Sequence, residues 1–97
     1  MKLQIQSIHF DADVKLTDFI QKKLDKLDTF HDHIIHGEVY LKLEKDSHQE
    51  NKVVEVKLHI PGHDLFVKEK SRTFEAAVDE AVETLKVQLK KQKEKVL

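Results

Sequence analysis

The sequence is 97 residues long, with 17 basic and 18 acidic side chains and a net charge of −1. This length suits one domain with a modest core, and we expect residues 1–97 to form it. The chain has no cysteine, which excludes disulfides, thiolate-bound zinc and a thiol nucleophile. It also has no apolar run of membrane-spanning length and no signal-peptide pattern, so we expect a cytoplasmic protein without a membrane partner.

The first two elements are predicted to be a strand and a helix. Apolar residues alternate with glutamines at the start of residues 2–10, but the phase changes at Ile8, which predicts a bulge near Ser7. Asp13 is a suitable N-cap for a helix that continues to about Phe30. The apolar stripe of this helix consists of Leu16, Phe19, Ile20, Leu24, Leu27 and Phe30.

The middle of the chain predicts two half-buried strands. Residues 39–43 and 54–60 alternate apolar with polar side chains, which is typical of strands with one covered face. Residues 45–51 are polar and are predicted to form the turn between them.

A third strand of this meander and a final helix follow. Pro61 and Gly62 suit the central positions of a type II turn, because proline fixes φ and glycine accepts a positive φ. The next strand is predicted over residues 65–70, and Thr73 is expected to cap the last helix. The apolar stripe of that helix consists of Phe74, Ala77, Val78, Ala81, Leu85 and Leu89.

The predicted fold class is α+β, with the order β-α-β-β-β-α. Each strand has one apolar face and each helix has one apolar stripe, so we expect both helices on one face of a four-stranded sheet. Tyr40 is the one aromatic residue expected on the outer face of the sheet. The five phenylalanines, including Phe66, are assigned to the core or its margin.

Lysines follow the buried stripes of both helices. Residues 85–97 carry five lysines against one glutamate, whereas residues 73–84 carry four acids and no basic residue. A solvated helix end that opposes the helix dipole is the simplest explanation. The lysines nevertheless line up at about 100° per residue along the margins of the stripes. They are Lys22, Lys23 and Lys26 on the first helix, Lys86, Lys90 and Lys93 on one flank of the last helix, and Lys91 and Lys95 on its other flank.

These two rows predict one cationic surface for an anionic partner. Attraction to phosphates needs only cations on one face. Few aromatic residues are interleaved with the lysines, which argues against stacking of single-stranded bases and favours recognition of folded RNA by its shape and backbone.

The sequence offers little for catalysis or metal binding. No phosphate-cradling loop and no nucleophile with a base and an orienting group can be named, so we expect no enzyme, no small-molecule substrate and no cofactor. His31, His33 and His36 lie close together, and His59 and His63 flank the Pro-Gly turn. The spacing of His31, His33 and His36 matches no structural zinc site with a complete ligand set, so we expect no functional metal. Whether this cluster binds metal adventitiously stays open.

Three segments, in this order and spacing, resemble a known family. They are residues 19–27 (FIQKKLDKL), residues 39–45 (VYLKLEK), and residues 76–79 (AAVD) leading to residues 88–95 (QLKKQKEK). The chain resembles, over essentially its whole length, the short ribosome hibernation-promoting factors and ribosome-associated translation inhibitors, of the sigma-54 modulation and ribosomal subunit interface protein family.

The resemblance implies a fold like that of double-stranded-RNA-binding domains. It implies a stress or stationary-phase protein, monomeric off the ribosome, that occupies the messenger and transfer RNA channel of the small ribosomal subunit and inhibits translation. Lys23, Lys26, Lys91, Lys93 and Lys95 match basic positions of the family, whose contacts with ribosomal RNA come largely from the two helices. A generic double-stranded-RNA-binding module and a protein–protein adaptor that uses the outer sheet face remain alternatives, and whether ribosomes are dimerised or only blocked stays open.

Overall fold

A single sheet of four strands forms one layer of the protein. The computed structural model describes residues 1–45 and 51–95, with side chains described up to Gln92. The elements are β1 (Leu3–Ser7), α1 (Val14–Asp25), a 3-10 helix (Lys26–Thr29), β2 (His36–Leu43), β3 (Lys52–Ile60), β4 (His63–Ser71) and α2 (Phe74–Lys95). The sheet order is β1-β2-β3-β4, with β1 parallel to β2 and the other pairs antiparallel. The predicted element order is confirmed.

The first strand is shorter than predicted, and the expected bulge near Ser7 is wrong. The parallel register of β1 with β2 runs without interruption to the pair Ser7–Leu41. Ile8 still donates its N–H to the carbonyl of Leu41, but His9 then adopts a positive φ of 67° and turns the chain away. The phase change at Ile8 therefore reflects the end of the strand.

The first helix begins where predicted and changes its geometry before its end. The Asp13 carboxylate accepts a hydrogen bond from the N–H of Leu16 at 2.9 Å, as an N-cap does. The α-helix ends at Asp25, and the last turn, which was predicted to be helical up to about Phe30, is the 3-10 helix. Such tight turns are common at helix ends.

The hairpin between β3 and β4 has the predicted two-residue turn. Ile60 pairs with His63, and Gly62 has a φ of 76°, which a type II turn requires at this position. The turn predicted over residues 45–51 lies largely outside the described residues.

One hydrophobic core lies between the sheet and the two helices. Ile20 and Leu24 of α1, Leu58 of β3 and Leu85 of α2 are fully buried in the same cluster. The helices also contact each other, so both cover the same face of the sheet, as predicted. Thr73 caps α2 by accepting the N–H of Ala76 at 3.0 Å.

The assignment of Phe66 to the core is wrong. Leu65 and Val67 point towards the helices, so the pleat of β4 directs Phe66 to the outer face, where it is 54% exposed. Within the described residues, no helix is long and apolar enough to cross a membrane.

Candidate RNA-binding surface

The two helices lie side by side and run in the same direction. The Phe10 ring, before α1, stacks on Phe74 at the start of α2, with centroids 5.3 Å apart. Further along, the ammonium group of Lys23 lies 3.1 Å from the Asp79 carboxylate. Phe30, after the 3-10 helix, contacts the second half of α2. The acidic half of α2 therefore adjoins α1, and its basic half adjoins the 3-10 helix.

Two of the candidate lysines form cation–π contacts with the ring of Phe30. The ammonium groups of Lys86 and Lys90 each lie 5.1 Å from the centre of its ring. At an exposed site, each such cation–π contact is worth about 0.5–1 kcal/mol. Because both cations share one ring, the two charges lie side by side at the junction of the helices. The sequence indicated Phe30 only as the end of an apolar stripe.

Lys23 already has partners inside the protein. Its side chain is 33% exposed, its ammonium group lies 5.4 Å from the Phe19 ring, and it forms the ion pair with Asp79. A lysine at the margin of an apolar stripe extends its ammonium group away from that stripe, and here the ammonium group of Lys23 reaches Asp79 of α2. Binding a phosphate would require Lys23 to exchange or share its Asp79 partner.

Lys22 on α1 and Lys26 at the start of the 3-10 helix are both exposed. A neighbouring part of α1 holds Met1, because Asp25 forms an ion pair with the Met1 amino group at 2.7 Å and Gln21 donates to the Met1 carbonyl. The hydrogen bond that the Met1 amino group donates to Asp25 is the main cause of the raised pKa of that amino group. At about 100° per residue, Lys22 lies roughly opposite the buried Ile20 and therefore faces solvent.

The remaining candidate lysines are Lys91, Lys93 and Lys95 in the last turns of α2. Lys91 lies on the other flank of α2, beside His63, Asp64 and Phe66 at the start of β4. The helix α2 includes Lys93 and Lys95, but their side chains lie outside the described residues. The predicted single surface therefore has a centre at Lys86 and Lys90, extends to Lys22, Lys23 and Lys26, and leaves Lys91 on a separate flank.

The charge of these lysines is available to a partner. Within the described residues, no ion pair involves Lys22, Lys26, Lys86, Lys90 or Lys91. Lys23 is the exception in the candidate set. These ammonium groups can bind phosphate without first breaking an ion pair inside the protein.

An acidic depression limits the cationic surface along the N-terminal half of α2. It is lined by Glu69, Asp79, Glu80, Glu83 and Thr84. Burial and the nearby Glu80 carboxylate raise the pKa of Glu69. A polyanion would be repelled here, so it would be expected to bind nearer the C-terminal half of α2.

The outer sheet face has mixed charge. Lys42 pairs with Glu55 across β2 and β3 at 2.6 Å, and Lys70 pairs with Glu44 at 3.0 Å. Lys57 lies 3.9 Å from Asp64. These cross-strand pairs neutralise much of the local charge, so the sheet is less suited than the helices to a polyanion.

The histidines are arranged differently from the sequence cluster. His31 and His33 meet edge to face with centroids 6.1 Å apart, whereas His36 stacks on His59 at 4.0 Å. His59 lies 2.7 Å from Glu38, and this hydrogen bond is the main cause of the raised pKa of His59 and the lowered pKa of Glu38.

Comparisons with known proteins agree with this architecture. The chain is 32% identical over 95 residues to the ribosome hibernation promoting factor of Pseudomonas putida, covering 98% of this chain and 89% of that protein. It is 28% identical over 96 residues to the factor of the same name from Klebsiella oxytoca, covering 99% and 97%.

Two solved structures share the fold. The N-terminal domain of Protein Y from Thermus thermophilus superposes with a TM-score of 0.82 at 26% identity, covering 94% of this chain and 98% of that one. A ribosomal subunit interface protein from Coxiella burnetii gives a TM-score of 0.85 at 24% identity, covering 96% and 98%. The family model described as "Sigma 54 modulation protein / S30EA ribosomal protein" matches residues 3–97, and the chain therefore belongs to that family.

Proposed function

We propose that this protein is a ribosome hibernation factor. In this proposal it binds ribosomal RNA of the small subunit in the messenger and transfer RNA channel, and so holds ribosomes idle under stress or in stationary phase. Two relatives are named ribosome hibernation promoting factors, and the chain spans 89% and 97% of their lengths. A ribosomal partner implies action in the cytoplasm and needs neither catalysis nor a cofactor.

The observation that carries the proposal is the pair of ammonium groups on Phe30. Lys86 and Lys90 are held next to each other, without a carboxylate partner among the described residues. They lie where the 3-10 helix meets the basic half of α2, on the C-terminal side of the acidic residues that line the depression at Glu69. This arrangement suits adjacent phosphates of a folded RNA, which are read by charge and position rather than by base edges.

Lys22, Lys23 and Lys26 extend this surface along α1, and Lys91, Lys93 and Lys95 are proposed to extend it along α2. Contacts of this kind position a protein on RNA but carry no sequence information. Specificity for the ribosome would then come from the shape of the channel, which must fit both helices at once.

Co-sedimentation with purified ribosomal subunits in sucrose gradients tests the proposal. We expect the protein to migrate with the small subunit, and to be displaced when messenger RNA and transfer RNA are added at saturating concentration. A translation extract supplied with the protein should lose activity over the same concentration range.

Two controls separate the rival functions. Equal affinity for plain duplex RNA and for small subunits would show a generic double-stranded-RNA-binding module. Partners that remain bound after nuclease treatment, and are lost when Phe66 is changed, would show an adaptor that uses the outer sheet face. Binding to the small subunit that messenger and transfer RNA do not displace would contradict the channel while leaving ribosome association intact.

A further inference from the structure

A second cluster of functional side chains lies on the outer sheet face, away from the lysines. The antiparallel register places His36 of β2 directly opposite His59 of β3. Glu38, two residues after His36, points to the same face because side chains alternate along a strand. One ligand atom from each of His36, Glu38 and His59 lies within 4.8 Å of the other two.

From this geometry we infer a binding site for a divalent transition metal, with Zn²⁺ as the best match, formed by His36, Glu38 and His59. Two imidazoles and one carboxylate form a ligand set that zinc uses when a fourth position is left open to water. Ligand atoms about 2.1 Å from a tetrahedral ion are roughly 3.4 Å apart, so the cluster needs only small side-chain rotations to hold one.

The neighbouring residues orient two of the ligands. Asp64 lies 2.9 Å from Nδ1 of His59, which directs Nε2 of that ring towards Glu38 at 2.7 Å. The Tyr40 hydroxyl donates to Oε1 of Glu38 at 3.1 Å and leaves Oε2 facing His59. A carboxylate behind a metal-binding histidine, and a hydrogen-bonded ligand carboxylate, are the supporting contacts that metal sites usually have.

The ligands come from two strands, and the supporting carboxylate comes from a third. His36 and Glu38 belong to β2, His59 to β3 and Asp64 to β4. All three ligands are half-buried, so they are partly held in place and still accessible to an ion. A bound ion would link β2 to β3 and should stabilise the folded state, because the unfolded chain does not bring these residues together.

A calorimetric titration of the metal-free protein with Zn²⁺ as the only added ligand tests the site. Co²⁺ serves as a spectroscopic probe, since its visible absorption reports four-coordinate nitrogen and oxygen ligands. We expect one equivalent of metal to bind, to raise the thermal midpoint, and to shift the imidazole proton resonances of His36 and His59 but not those of His31 and His33.

The variants separate this site from casual binding to surface histidines. His36→Ala with Glu38→Gln should abolish binding, and Asp64→Asn should weaken it by about 10–100-fold through the lost support of His59. His31→Ala with His33→Ala removes two imidazoles that lie outside the site and should leave affinity unchanged. Circular dichroism of each variant checks the fold, and Glu38→Gln alone preserves the stacked rings if the double variant fails to fold.

The inference is overturned if Zn²⁺ binds the His36/Glu38 variant as tightly as the parent protein. It is also overturned if the His31/His33 variant loses the binding, or if the parent protein binds only at millimolar metal. Each of these outcomes leaves the ribosome-binding proposal unaffected, because none of the lysines proposed to contact RNA is a ligand of the metal site.

Discussion

Glu69 is a residue whose negative charge destabilises the folded protein. It lies on the helix-facing side of β4, opposite Val54, and faces Glu80 across the edge of the core. Burial is the first cause of its raised pKa, and the Glu80 carboxylate is the second. The ionised form is therefore disfavoured in the folded state relative to the unfolded chain.

We predict that Glu69→Gln stabilises the protein at pH 7. Because the folded pKa is raised above 4.5, ionisation of Glu69 reduces stability as the pH rises from that value through the folded pKa. Below pH 4.5 both states are protonated and the effect disappears. Thermal unfolding at pH 7 and pH 4 should show a higher midpoint for the variant only at pH 7.

A matched change at the exposed residue Glu75 provides the control. Glu75 lies in the first turn of α2, where its negative charge favours the helix dipole, so Glu75→Gln should give no rise in the midpoint. A midpoint for Glu69→Gln at or below that of the parent at pH 7 would contradict the prediction.

Leu58 is the residue whose burial the alternating pattern predicted most directly. It is fully buried in the core cluster, and a side chain built at Gly37 on the neighbouring strand would come within 3.0 Å of it. Leu58→Ala should lower the free energy of unfolding by about 2–5 kcal/mol, since the truncation leaves a cavity that the sheet cannot close. Urea denaturation measures this change, and an unaltered midpoint would be incompatible with the register described for β3.

Other residues could not be placed from the sequence, because their positions depend on contacts between elements. The outward orientation of Phe66 results from the pleat of β4, because Leu65 and Val67 on either side of it face the core. Nothing in the local sequence distinguishes an exposed phenylalanine from a buried one at this position. The pairing of His36 with His59 depends on strand register. The strand predicted over residues 39–43 did not include His36, with which β2 begins, so the partner of His36 could not be derived.

At the scale of elements, the sequence predicted helix starts and turns correctly where a single residue determines the local backbone conformation. Asp13 and Thr73 cap the two helices, and Gly62 supplies the positive φ of the hairpin turn. The end of β1 was missed because His9 carries the positive φ there, and residues other than glycine adopt that conformation uncommonly. The change from α-helix to 3-10 helix at Lys26 was also missed, since the apolar spacing continues through it.

The link between the 3-10 helix and α2 can be measured at Phe30. Phe30→Leu keeps an apolar side chain but removes the ring that holds Lys86 and Lys90. With two contacts of about 0.5–1 kcal/mol each, the loss in unfolding free energy should be about 1–2 kcal/mol. A double-mutant cycle with Lys86→Met should give a coupling energy of about 0.5–1 kcal/mol. A coupling of zero would mean that this lysine lies over the ring without interacting with it.

At the scale of the whole molecule, the two faces of the sheet are expected to act independently. The helix face carries the lysines proposed to contact RNA, and the outer face carries the inferred metal site. We predict that protein treated with a chelator keeps its affinity for small ribosomal subunits, because His36, Glu38 and His59 are not part of the lysine surface. Co-sedimentation with and without Zn²⁺ tests this, and a loss on chelation that Zn²⁺ restores would show that the faces are coupled.

The face that binds RNA can be identified by removing equal charge from different places. The helix variants are Lys86→Gln with Lys90→Gln, Lys23→Gln with Lys26→Gln, and Lys91→Gln with Lys95→Gln. Lys42→Gln with Lys57→Gln removes the same charge from the outer sheet face, where both lysines lie near carboxylates. All four variants change net charge by the same amount, so differences between them report position.

Each phosphate contact that is lost should reduce the slope of log affinity against log salt by roughly 0.7–0.9. We expect the Lys86/Lys90 variant to lose the most affinity for small subunits and to flatten this slope by up to two such steps. The Lys23/Lys26 variant should lose less, because Lys23 already has Asp79 as a partner. The Lys91/Lys95 variant tests whether the second flank of α2 also reaches RNA. The sheet variant should keep the parent slope, and if it alone lost binding while the helix variants kept it, the RNA-binding face would be the sheet and the proposed site would be wrong.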